Sequence, residues 1–154
     1  MNPSKILIGL ILFLIGCGMY TLVKYTPQNF NETEKAKHLI QKIAYIQPQT
    51  IFIDAAYSVE VTDNKILMRE TEIESSIIHD QNSATPASKV VYFEDLIKIV
   101  IYKVKSGLYQ VMLLDKTSKE SNRPVLSIYT KTEEYAKQLC DAVYTMMESK
   151  KPSN

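Results

Sequence analysis

Tryptophan is absent from the chain, histidine and cysteine occur twice each, and glycine occurs four times. Each scarcity removes a class of function. Cysteines at 17 and 140 alone make neither a disulfide framework nor a cysteine-rich metal site. Three of the glycines, at 9, 16 and 18, sit inside one apolar run, so no Gly-rich loop remains to cradle a phosphate. The histidines offer little to nucleophilic catalysis. His38 falls in a helical pattern, and His79 stands beside Asp80 at the edge of a polar loop. A net charge of +1 argues against a nucleic-acid binder, which carries a strong basic excess. The charge is nevertheless uneven: residues 32–80 sum to −4 and residues 89–131 to +4.

What the chain does have is one long apolar run, residues 6–23, bracketed by Lys5 and Lys24. Eighteen residues at 1.5 Å each make a helix of about 27 Å, near the thickness of a bilayer's hydrocarbon core. Tyr20 and Tyr25 would then lie near the interface, where tyrosine is enriched. Residues 1–24 are therefore expected to form a single-pass anchor. Lys5 with the α-amino group faces Lys24 alone, which places the following domain outside the cytoplasm by the positive-inside rule. A second reading starts from Leu14-Ile15-Gly16-Cys17, which resembles the lipobox of bacterial lipoproteins. That resemblance implies acylation of the Cys17 thiol and cleavage before it. An ordinary secretory signal would need an A-x-A-like cleavage site, and none follows. The permanent anchor is favoured because Gly-Met-Tyr-Thr-Leu-Val after Cys17 stays apolar, whereas a lipid-anchored end is usually a polar tether.

Residues 25–49 read as a linker, with Pro27, followed by an amphipathic helix that packs on the domain or forms a stalk. Asn31 with Glu34 forms a capping box, Ala36, Leu39, Ile40, Ile43 and Ala44 make the apolar stripe, and Pro48 ends the helix. From residue 50 the period changes to two. Strands are predicted at 51–55, 57–62 and 65–70, with Asp63-Asn64 as a hairpin turn whose residues tolerate positive φ. Residues 71–79 form a further strand or a poor helix, and 80–88 a long loop. Strands follow at 89–93, 97–105, 108–114 and 125–130, with a turn at Ser106-Gly107. Ile97, Ile99 and Ile101 share a face with Lys103 and Lys105, a conflict that a bulge near Tyr102 resolves. A capping box of Thr130 and Glu133 opens the last helix, whose stripe is Tyr135, Ala136, Leu139, Cys140, Val143, Met146 and Met147. Residues 150–154 form a frayed tail.

The expected class is α+β: a curved antiparallel sheet or small barrel of about seven strands closed by a C-terminal helix, over residues 50–149. Val91-Tyr92-Phe93-Glu94-Asp95-Leu96-Ile97-Lys98-Ile99 resembles the bacterial PH-like and GRAM-like segment in which a short aromatic strand turns through an acidic pair into a long strand. Residues 61–67 resemble the early hairpin of those domains, and 126–136 their last strand and helix entry. A different curved α+β sheet on one helix is the alternative. The resemblance implies a phosphoinositide site at the first hairpin, but only Lys65 and Arg69 stand there, beside Asp63.

No catalytic, cofactor or metal site is expected. Glu70, Glu72 and Glu74 would line one face of a strand, as solvated charges rather than as ligands of a hard cation. Lys103, Lys105, Lys116, Lys119 and Arg123 form a candidate basic edge for an anionic surface. The function that follows is a non-enzymatic, membrane-tethered binding or scaffold module with a protein partner. The alternative is an envelope lipoprotein held at Cys17 with a structural or assembly role, and an enzyme comes third.

Overall fold

A computed structural model of the chain describes residues 20–48, 57–70, 88–118 and 123–152. Strand β1 is Tyr20–Val23 and helix α1 is Thr33–Tyr45. A hairpin of β2 (Tyr57–Val61) and β3 (Lys65–Glu70) follows, then β4 (Ser88–Tyr92) and the long β5 (Leu96–Val104). The chain closes with β6 (Tyr109–Asp115), β7 (Leu126–Thr130) and helix α2 (Glu133–Glu148). The seven strands form two antiparallel sheets, β1-β5-β6-β7 and β2-β3-β4. The fold class is α+β as expected, but the strands do not close into a barrel.

The largest departure lies at the N-terminus. Tyr20–Val23, the end of the apolar run, is not helical. It pairs with β5 in the register Tyr20↔Val104 to Val23↔Ile101 and forms the edge of the four-stranded sheet. Residues 1–19, including Cys17, lie outside the described residues. Helix α1 packs on the domain rather than standing off it as a stalk. Ala36, Ile40, Ile43 and Ala44 are buried to within 1% exposure and share one core with Phe93, Val111, Leu113, Ile128, Leu139 and Val143. The core therefore extends back through residues assigned above to a linker. Helix α2 packs α1 on one side and β5, β6 and β7 on the other, while α1 reaches β2.

Local chemistry explains other differences. Asn31 does not cap α1; it takes the left-handed φ of 57° that asparagine tolerates, and Glu32 occupies the cap position without a side-chain bond. The hairpin turn is present, yet neither Asp63 nor Asn64 has positive φ. Instead the Thr62 hydroxyl accepts from the amides of Asn64 and Lys65, both at 3.3 Å. Helix α2 is capped by Thr132, whose hydroxyl accepts from the Tyr135 amide at 3.2 Å, while Thr130 donates to the Thr132 carbonyl. Tyr135, expected on the apolar stripe, is exposed. The bulge lies between Leu96 and Lys98 rather than near Tyr102. Ile97 is the inserted residue, so Leu96 and Ile101 are both buried and Lys98 turns outward. Lys103 needs no bulge, because it is exposed and lies over the Tyr109 ring at 5.7 Å.

The expected strand at 51–55, the segment at 71–79 and most of the loop at 80–88 lie outside the described residues. The turn at Ser106-Gly107 is as expected, with Gly107 at φ 85° and its amide donating to the Val104 carbonyl.

Candidate functional site

The N-terminal segment is fixed at two levels. Beyond β1 the chain crosses α2 as a strap. The Tyr25 hydroxyl donates to both carboxylate oxygens of Asp141 at 2.9 Å, and the Gln28 amide donates to Asp141 Oδ1 at 2.8 Å. Two residues on, the Phe30 amide donates to Thr145 Oγ1 at 3.3 Å, and that hydroxyl donates to the Asp141 carbonyl at 2.8 Å. Lys137 lies over the Tyr25 ring at 5.5 Å, so the phenol sits between a cation and a carboxylate. Burial, then the bond to Asp141, pushes the Tyr25 hydroxyl up to about 12.

The four-stranded sheet has two unlike faces. Its inner face presents Ile101, Val111, Leu113, Leu126 and Ile128 to the core. On the outer face of such a sheet polar residues are the rule. Here the cross-strand row is Leu22, Tyr102, Gln110 and Tyr129. The row on one side is Tyr20 and Val104, and on the other Val100, Met112 and Ser127. Gln110 and Ser127, its two polar members, bond to each other at 3.1 Å. Tyr20 and Leu22 are more than half exposed, at 52% and 53%, and the Tyr20 ring meets Tyr102 edge-on with centroids 6.3 Å apart. No acidic residue occupies a position on this face. Lysines do: Lys98 lies opposite Leu114, and Lys24 continues the alternation of Tyr20 and Leu22. A cleft of about 260 Å³ opens where the chain leaves β1, between Lys24 and Lys98, with Leu22, Val100 and Tyr102 on its walls and Cys140 beneath.

The expected basic edge is not assembled. Lys103 and Lys105 lie at the β5–β6 turn, whereas Lys116 and Arg123 belong to the β6–β7 connection at the other end of β6. Six steps along a strand separate those ends by about 20 Å. Lys119 lies outside the described residues. The lysines that reasoning from the sequence missed are Lys24 and Lys98. Their signal was the alternation Lys98-Val100-Tyr102-Val104, hidden by the opposite alternation of Ile97, Ile99 and Ile101 in the same stretch.

Elsewhere, Cys140 is 1% exposed and its thiol is pushed up to about 12 by burial, with the Asp141 charge adding to the effect. His38 is exposed on α1, and His79, Glu72 and Glu74 are outside the described residues. Among the described residues, no group of three His, Cys, Asp or Glu stands where it would hold a metal ion. No described helix is long and apolar enough to cross a membrane. No family model matches the chain, nor does a characterised protein or a solved structure.

Proposed function

We propose that the chain is a non-enzymatic binding or scaffold module of the cell envelope, held at a membrane by lipid on Cys17. The observation that carries this reading is β1. Residues 20–23 carry the apolar run past the cysteine, the feature of the sequence that favours a membrane-spanning anchor. As an edge strand paired with β5, this stretch does not extend a membrane-spanning helix. Residues 6–19 remain, and fourteen residues of helix reach about 21 Å, short of the roughly 30 Å core. That length suits the h-region of a cleaved signal better than a span. The mature chain would then begin at Cys17 and enter the sheet three residues later.

The PH-like resemblance belongs to the same proposal, supported by the six described strands after α1, β2 to β7, followed by a closing amphipathic helix. A protein partner has two candidate contacts. One is the edge of β4, where Val90 and Tyr92 are exposed and the described sheet ends. The other is a cleft of about 260 Å³ between Ile43, Ile46, Tyr129 and Tyr135, beside the start of α2. Intact-mass measurement on membrane-extracted protein tests the attachment. The expected result is a chain starting at Cys17 and carrying acyl groups, and full-length unmodified protein from Cys17→Ser. An unmodified chain that retains residues 1–16 in the parent protein would refute lipid attachment.

A further inference from the structure

On the outer face of the β1-β5-β6-β7 sheet Tyr20 and Leu22 are exposed and the other uncharged positions half-buried, and its composition is unusual for an outward-facing sheet surface. Three tyrosines and four aliphatic or methionine residues surround one Gln–Ser pair, and no carboxylate is present. Exposed apolar patches of this kind mark interaction surfaces. We infer that this face lies flat on the surface of an anionic lipid bilayer.

Two observations choose the bilayer over a protein. The first is where the chain enters. Tyr20 belongs to the edge strand of this face, and Cys17 is three residues before it. Three extended residues reach about 10 Å, so a lipid on Cys17 holds the face within that distance of the headgroups. Docking a domain already tethered this closely is intramolecular, and a weak contact suffices. The second is the distribution of charge. Lys24 and Lys98 stand at the end of β1 and β5 away from Tyr20, with Lys116 just past β6. Glu94 and Asp95 lie in the turn before the bulge, beyond the face. A domain standing on its Tyr20 end would leave Lys24 and Lys98 in solvent, so all of these lysines meet headgroups only when the sheet lies flat. Tyrosine is also the residue type enriched at the membrane interface, where its ring is apolar and its hydroxyl is wet.

This inference rests on the attachment reading, so the test separates the two. A photo-reactive phenylalanine analogue is placed in the full chain either at Met112 on the sheet face or at His38 on the exposed side of α1. The protein is reconstituted with vesicles of phosphatidylcholine plus phosphatidylglycerol, or of phosphatidylcholine alone. Flotation reports attachment, and the mass of the adduct reports what each site touches. The expected result is flotation with both vesicles, lipid adducts from Met112 and not from His38, and more adduct on the anionic vesicles. Lys24→Gln and Lys98→Gln should each lower the ratio of docked to undocked protein by about fivefold, the worth of one lysine at an anionic surface. Protein that floats but yields a cross-linked dimer from Met112, an adduct within its own chain, or equal lipid adducts from both sites overturns the docking and leaves attachment standing. Protein that floats with neither vesicle overturns both.

Discussion

Replacing Asp141 by alanine removes the acceptor that binds the strap to α2. Asp141 receives the Tyr25 hydroxyl and the Gln28 amide, two bonds to sites 116 and 113 residues away in the chain. A hydrogen bond to a charged group contributes about 1.5–3 kcal/mol. Gln28 is exposed and Tyr25 half-buried, so the low end applies to each, and water recovers part of the loss. Asp141→Ala should therefore destabilise the domain by about 2 kcal/mol. Asp141→Asn keeps an acceptor oxygen and should cost about 1 kcal/mol, and Tyr25→Phe about 1 kcal/mol. Equilibrium unfolding in urea measures all three, with the slope checked for constancy because a detached strap would change the area exposed. The double variant Tyr25→Phe/Asp141→Ala should be less destabilised than the sum of its parts by about 1 kcal/mol. Strict additivity, or a cost below about 0.5 kcal/mol for Asp141→Ala, would show that the strap lies on α2 without being held there.

Three further outcomes follow from the same packing. The Tyr25 hydroxyl titrates about 12 in the fold against 10.0 ordinarily, so its contribution is full below pH 10 and is lost as pH rises through about 12. Burial also raises Tyr129, and the bond to Glu148 raises Tyr144, so tyrosinate absorbance should show several late-titrating groups and Tyr25→Phe should remove one of them. Ile40→Ala should cost about 2–5 kcal/mol of stability in the whole domain, since Ile40 is fully buried in the common core; a stalk helix would lose helicity locally and leave the unfolding midpoint in place. Cys140 should resist thiol reagents in the native protein and react at the rate of global opening, whereas fast labelling under native conditions would contradict its 1% exposure and elevated pKa.

Much of the fold was legible because its signals are local. The burial of Ile66 and Met68 on β3, and of Ala136, Leu139, Cys140, Val143 and Met146 on α2, follows from spacing alone. The turn at Gly107 was legible because few other residues accept a φ of 85°. The misreadings share a cause, which is that the deciding partner is remote in sequence. Nothing near Asn31 says that Glu32 will begin the helix, because the approach is dictated by Phe30 and Gln28 bonding to α2. Nothing in the stripe of α1 distinguishes a stalk from a core helix, because both bury one face and differ only in what covers it. The basic edge failed similarly: residues 103–123 are contiguous on paper, but β6 carries its two ends apart.

If the sheet face docks on a membrane as proposed, the same contacts set how firmly it is presented there. Strand β1 is four residues long and pairs on one side only, so it relies on the strap that follows it. With both in place, three residues separate Cys17 from the fixed domain. If strand and strap leave together, the first fixed point moves back to α1 at Thr33, and the leash grows to sixteen residues. Effective concentration falls roughly as the −3/2 power of leash length, which gives about a tenfold loss. On this proposal Asp141 acts on docking without being on the docking face. Asp141→Ala should lower the lipid adduct from Met112 while flotation stays complete, and Lys24→Gln should do so without changing stability. An adduct from Met112 that is unchanged in Asp141→Ala would mean that β1 holds the sheet edge on its own.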